Sequence, residues 1–473
     1  MRKLLPLLAL LAVPAAAQAA VVKPAAGMPD VKQWQLSNGL KVIFLAEHKA
    51  PVVTVQVFYH VGGKDEPADK RGMAHMFEHM MFKGSKRVQP EQHARFIDSV
   101  GGNENAFTAD DLTGYHDTVP PAALAFTMQL EAERMRNLVL TQKTINSERE
   151  VVKEELRVRL ENNPVMKALD KVMHLAYTVH PYRQSPIGEK KMLDSVTVAD
   201  CQKFYDAFYR PNNATLIVVG DTDEATVRKL ATEHFGSLEA GSDGTRPSVA
   251  LQEPDQKDLR EATLAIPVQL PVVVGSYHIP SGASEDMYPL EVLQQILSSG
   301  ESSRLYQRLV RKDKLAVAAG GFVFDHEDPG LFLTYAAYLP NMDATKVKAS
   351  LADEIAKMVS TPVDAKDLVK ARNQLAARAV FERERVSQIA TQIGIGGIVA
   401  HDPLHAFTAP AKYDAVTAAD VQRVAQKYLV TTNHSLVTLQ PAAATPPKPP
   451  AAKPQATPAP STPPAGQKKG GAK

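Results

Sequence analysis

The chain has 473 residues, 44% of them hydrophobic and 22% charged, an ordinary globular balance with ample material for a core. At about 150 residues per domain, that length predicts roughly two to four domains. A formal net charge of +2 argues against a general nucleic-acid binder, and the lone cysteine, Cys201, excludes an intrachain disulfide.

In chain order, Arg2 and Lys3 precede an apolar run from Leu4 to Val13, and Ala17-Gln18-Ala19 follows as a small-x-small cleavage pattern. Residues 1–19 are predicted to be a signal peptide, the run being too short to span a bilayer comfortably. This implies a periplasmic or secreted protein. Next, Asn38-Gly39 between apolar runs predicts a hairpin, and Val53, Val55, Val57 and Tyr59 alternate as a strand within Pro51–Val61. Long helical patterns cover 121–136 and 142–162, and Cys201 reads as a packed helix residue. A polar segment from Gly241 to Asp258, broken by proline and glycine, reads as a linker.

Beyond it the first half is echoed. Tyr277-His278 matches Tyr59-His60 at an offset of 218, which lays Leu293, Ile296 and Leu297 over His75, Glu78 and His79. The expected domains are 20–245 and a homologous 259–440, followed by a Pro/Ala/Lys-rich tail, 441–473, too poor in apolar surface to fold. The expected fold class is α+β: two similar domains, each a mixed, mostly antiparallel sheet backed by helices.

The chemistry centres on His75-Met76-Phe77-Glu78-His79. On a helix, positions i and i+4 share a face, so two imidazoles can grip one zinc ion while Glu78 reaches a water held there. This is the H-x-x-E-H order, the inverse of H-E-x-x-H. A catalytic zinc needs a third protein ligand, and a carboxylate suits best. Candidates lie in Ser147–Leu156, where Glu148 and Glu155 are seven apart and share a helix face, and Glu154 sits on a neighbouring one. Composition alone favours a solvated charged surface for this helix, because Arg149, Lys153, Arg157 and Arg159 interleave with the acids.

The run Gly72-Met73-Ala74-His75-Met76-Phe77-Glu78-His79-Met80-Met81-Phe82-Lys83-Gly84 resembles the signature of pitrilysin-type zinc peptidases, the group of insulin-degrading enzyme and the mitochondrial processing peptidase. Glu148–Glu155, Gly101–Thr108, His180-Pro181-Tyr182, Tyr209–Ala214 and Gly220-Asp221 carry the likeness further, over roughly residues 30 to 440. The resemblance implies one zinc per chain on His75, His79 and Glu155, the last lying 76 residues after His79. It gives Glu78 as general base, counts Glu148 with it among the catalytic residues, and makes Asn105 and Ala106 the substrate-binding edge. It further implies two domains facing each other across a chamber, and a zinc endopeptidase acting on short or unfolded peptides. The family's second half supplies an Arg and a Tyr, seven apart, near the zinc; here both places carry valine, Val310 and Val317. A partner subunit is therefore expected to provide that pair, and the assembly is expected to be a heterodimer with a homologous subunit without zinc, or a self-dimer. The competing readings are a non-catalytic peptide-binding subunit of the same fold and a structural exported protein with a surface-binding tail.

Overall fold

The computed structural model describes residues 28–241 and 252–442. The expected leader, the inner part of the linker and the tail beyond Ala442 lie outside the described residues. The first sheet comprises β1 (Lys32–Gln35), β2 (Lys41–Ala46), β3 (Val53–Tyr59), β4 (Asn103–Thr108), β5 (Thr113–Val119) and β6 (Ala214–Gly220), in the order β1-β2-β6-β3-β5-β4. The second comprises β7 (Arg260–Ile266), β8 (Val272–His278), β9 (Ala318–Phe324), β10 (Leu331–Ala337) and β11 (His434–Pro441), in the order β7-β11-β8-β10-β9. Only β2·β6 and β7·β11 run parallel; the other pairings are antiparallel.

The two orders superimpose once β1 is set aside, and a side-chain clasp repeats with them. Asn213 Nδ2 donates to the carbonyls of His60 and Phe208 at 3.2 and 2.9 Å. Asn433 Nδ2 donates to those of His278 and Tyr428 at 2.8 and 2.9 Å. His60 and His278 keep the 218 offset, whereas the asparagines stand 220 apart, so loop lengths drift between the halves. The helix Met287–Ser298 buries Leu293, Ile296 and Leu297 in the second core, where the first half has its histidines and glutamate.

Each sheet is covered on both faces, which is why all seven residues of β3 are buried. One cover comes from the sheet's own half. The other is exchanged. The helix Pro164–Ala176 packs Ala168, Val172 and Ala176 against Leu331, Leu333, Val437 and Leu439 of the second sheet. The helix Val386–Val399 returns the arrangement, laying Ile389, Ala390 and Ile393 on Phe58, Ile217 and Val219 of the first. The hairpin loops after β4 and β9 meet between the sheets. There the Lys64 ammonium lies 2.7 Å from Asp111, 2.7 Å from Glu327 and 3.0 Å from Asp328. The strand β11 extends to Pro441, and the Ala442 amide donates to the Ile266 carbonyl, so the second sheet passes the boundary expected at 440.

Candidate metal centre

The short helix Met73–Met80 carries the H-x-x-E-H run. Met73, Met76, Phe77 and Met80 sink into the first core, which leaves His75, Glu78 and His79 together on the remaining face. Its start is fixed by a buried carboxylate: Glu66 accepts from the amides of Gly72 and Ala74 at 2.9 and 2.6 Å. Gly72 has φ +94°, and a Cβ there would stand 2.8 Å from the Ile187 carbonyl, so glycine is required.

The facing helix, Gln142–Leu156, is capped by Thr141 and anchored by Ile145, Val152 and Leu156. Seven-residue spacing turns Glu148 and Glu155 to the histidines. Glu155 Oε1 lies 3.7 Å from His75 Nε2, and its Oε2 lies 3.4 Å from His79 Nε2. Potential ligand atoms of His75, His79 and Glu155 fall within 4.8 Å of one another. Glu154 points away, paired with Arg157 at 2.6 Å. Glu148 is buried, with Oε2 3.6 Å from His79 Nδ1 and Oε1 3.4 Å from Lys83 Nζ. The two Nε2 atoms and one carboxylate are a donor set suited to zinc, and Glu148 stands where a carboxylate would orient a ligating imidazole.

The electrostatics match this use. Burial, with the nearby His79 and Arg159, pushes His75 down to about 3, so it is the neutral imidazole a metal needs. Burial also opposes charge on His79, but Glu148, Glu155 and Glu78 outweigh it and raise its pKa. Burial raises the Glu78 carboxyl, against the opposing hydrogen bond from Thr108.

A cleft of about 530 Å³ opens over these groups, with residues 105–108 of β4 as its other wall. Among the described residues, the strand β4 is the last of its sheet and pairs only with β5, which leaves its outer edge open to an added strand. Asn105 is exposed and its Oδ1 accepts from the Ala106 amide at 2.8 Å, holding a donor that an added strand would take over. Two further residues in the cleft were not singled out from sequence. Thr108 donates from Oγ1 to Glu78 Oε2 at 2.5 Å. Its signal was the two-residue strand period, which puts it on the same face as Ala106. Arg159 lies in the π-helical turn Arg157–Glu161 and pairs with Glu155 at 2.9 Å.

The second half contributes no lining residue among those described. Val310 packs on the second core, Val317 is exposed, and Arg311 pairs with Glu301 at 3.0 Å. Another ligand-like group, His93, Glu104 and Asp117, lies behind Phe82, but there the Arg134 guanidinium against Glu131 already supplies the positive charge. Burial pushes the Cys201 thiol up to about 12, consistent with packing rather than chemistry.

Residues 41–190 match the insulinase (peptidase family M16) domain, and 195–375 match the peptidase M16 inactive domain. "Zinc protease PqqE" of Helicobacter pylori is 30% identical over 416 residues, covering 88% of this chain and 94% of that protein. A probable mitochondrial-processing peptidase subunit beta of Arabidopsis thaliana is 26% identical, covering 85% of this chain and 76% of that one. A crystal structure of a Helicobacter pylori protease superimposes with a TM-score of 0.84 at 30% identity, over 88% of this chain and all of that one. The first half of the Escherichia coli periplasmic protease PqqL shares the fold, with a TM-score of 0.73 at 20% identity over 88% of this chain and 93% of that one. With a zinc-protease relative matched along almost its whole length, and family models matching both halves, the chain belongs to the M16 (insulinase) peptidase family.

Proposed function

We propose that the chain is an exported zinc endopeptidase, periplasmic or secreted, that hydrolyses short or unfolded peptides laid as an added strand along β4. The observation that carries this is the meeting of His75, His79 and Glu155 beside Glu78, itself hydrogen-bonded to that edge strand. One zinc per chain, held by those three residues, would supply Lewis acidity that polarises the scissile carbonyl and acidifies a water. Glu78 takes the proton from the attacking water and returns it to the departing amine. Glu148 holds His79 through Nδ1, and Thr108 holds Glu78. Asn105 and Ala106 align the substrate backbone through edge N–H and C=O groups.

In this reading the first half, 20–245, is catalytic and the second, 259–440, carries no metal; the tail from 441 is a solvated extension. Valines at 310 and 317 leave the chamber without an Arg/Tyr donor pair, so a homologous partner that carries the pair completes it; a second copy has the same valines and would not. A missing oxyanion donor typically costs about 10²–10³ in turnover. The leader-like N-terminus supports export.

The deciding variant is Glu78→Gln. Hydrolysis of a fluorogenic peptide by the partnered enzyme should vanish while zinc stays bound. Substantial residual cleavage would remove Glu78 from its role. Zinc binding without any wild-type turnover, with or without partner, would favour a peptide-binding subunit.

A further inference from the structure

We propose that Arg159 determines substrate specificity at this site by selecting peptides with an acidic side chain next to the scissile bond. The proposal rests on the peptidase reading above. Arg159 follows Glu155 by four residues, in a π-helical turn. Such turns carry an extra residue per repeat and re-aim side chains, which is why they collect at functional sites. Its neighbour Arg157 faces outward and is paired with Glu154, whereas Arg159 lines the cleft.

Stability does not explain this placement. The Arg159 side chain is 71% exposed, and an ion pair so wet contributes only about 0–1 kcal/mol. Charge balance does. The lining holds three carboxylates, Glu78, Glu148 and Glu155, and two permanent cations, Lys83 and Arg159. Lys83 is occupied by Glu91 at 2.7 Å and Glu148 at 3.4 Å. Arg159 has Glu155 as its ionic partner among the described residues. A divalent ion on His75, His79 and Glu155 draws on that same carboxylate and turns the cleft's formal charge from negative to positive. The surplus then sits on Arg159, whose planar fork of N–H donors matches a carboxylate. Across the cleft, Asn105, Ala106, Phe107 and Thr108 bear no charge, so that wall offers an acidic side chain neither a competing cation nor a repelling carboxylate.

The experiment uses the zinc-loaded, partnered enzyme and peptides that differ only by Glu, Gln or Lys on either side of a mapped cleavage site. Wild type should favour Glu over Lys by roughly tenfold or more in kcat/KM, as expected for a hydrogen bond between charged groups. Arg159→Glu should reverse the order, and Arg159→Lys should keep its sign. The same ranking should appear in peptide binding to the Glu78→Gln protein by fluorescence anisotropy, and should shrink as salt is added. Zinc content should be unchanged in every Arg159 variant. An Arg159→Glu enzyme that cleaves with unaltered preference overturns the proposal, as does one whose only defect is weaker zinc binding, because Arg159 then merely steadies Glu155. A wild-type enzyme that cleaves none of the peptides overturns the peptidase reading and this proposal with it.

Discussion

Thr108 ties Glu78, the proposed general base, to the strand on which substrate is proposed to lie, so in that reading a single hydroxyl couples chemistry to binding. A hydrogen bond to a charged group is worth about 1.5–3 kcal/mol. Thr108→Val should therefore lower kcat by roughly 10–100-fold with little change in KM, and Thr108→Ser should recover most of it. Steady-state kinetics on one peptide would show this, and a pure KM effect would contradict it. That His75, His79 and Glu155 come together was legible in part: helix geometry pairs the histidines at i and i+4, and two full turns put Glu148 and Glu155 on one face. The residue pattern alone left Glu154 and Glu155 open, and the family spacing favoured Glu155. The fold shows the physical difference: Glu154 leaves with Arg157, while Glu155 turns in with Glu148. Thr108 offered only its two-residue strand period, which does not tell which face of an edge strand meets a helix, and Arg159 depends on a local change of helical pitch.

At the level of elements, the sequence identified the duplicated halves but not the helix exchange. An apolar helix face declares that it will be buried, not which sheet it will bury against. The Val386–Val399 helix looks as fit for its own half as for the other, yet Gly394 gives its partner away. A Cβ at 394 would stand 2.4 Å from the Phe58 ring of the first sheet. Gly394→Ala should consequently destabilise the whole chain by about 1–3 kcal/mol through overpacking, despite the better helix propensity of alanine. A denaturant midpoint equal to or above wild type would mean that the exchanged helix sits loosely.

For the whole molecule, the buried joint between the halves sets a pH window. The ion pair with Asp110 outweighs burial and lifts His326 up to about 9. Its contribution is complete below the ordinary histidine value of 6.5 and is lost as pH rises through about 9. Glu327 runs the other way. Burial opposes its charge, but His60 and Lys64 outweigh it and bring Glu327 down to about 2. That contribution is complete above 4.5 and is lost as pH falls toward 2. Thermal stability should be greatest where both are intact, between about pH 4.5 and 6.5, and Asp110→Asn should flatten the alkaline decline. A melting temperature unchanged from about pH 6 to about pH 10 would count against this joint.

The claim beneath all of these is that folding delivers two imidazoles and one distant carboxylate to a single cation. Isothermal titration of the metal-free protein with zinc tests it most directly. One tightly bound equivalent per chain is expected, lost in His79→Ala and in Glu155→Ala but retained in Glu154→Ala. No tight binding by the wild type, or tight binding that survives removal of His79, would contradict it.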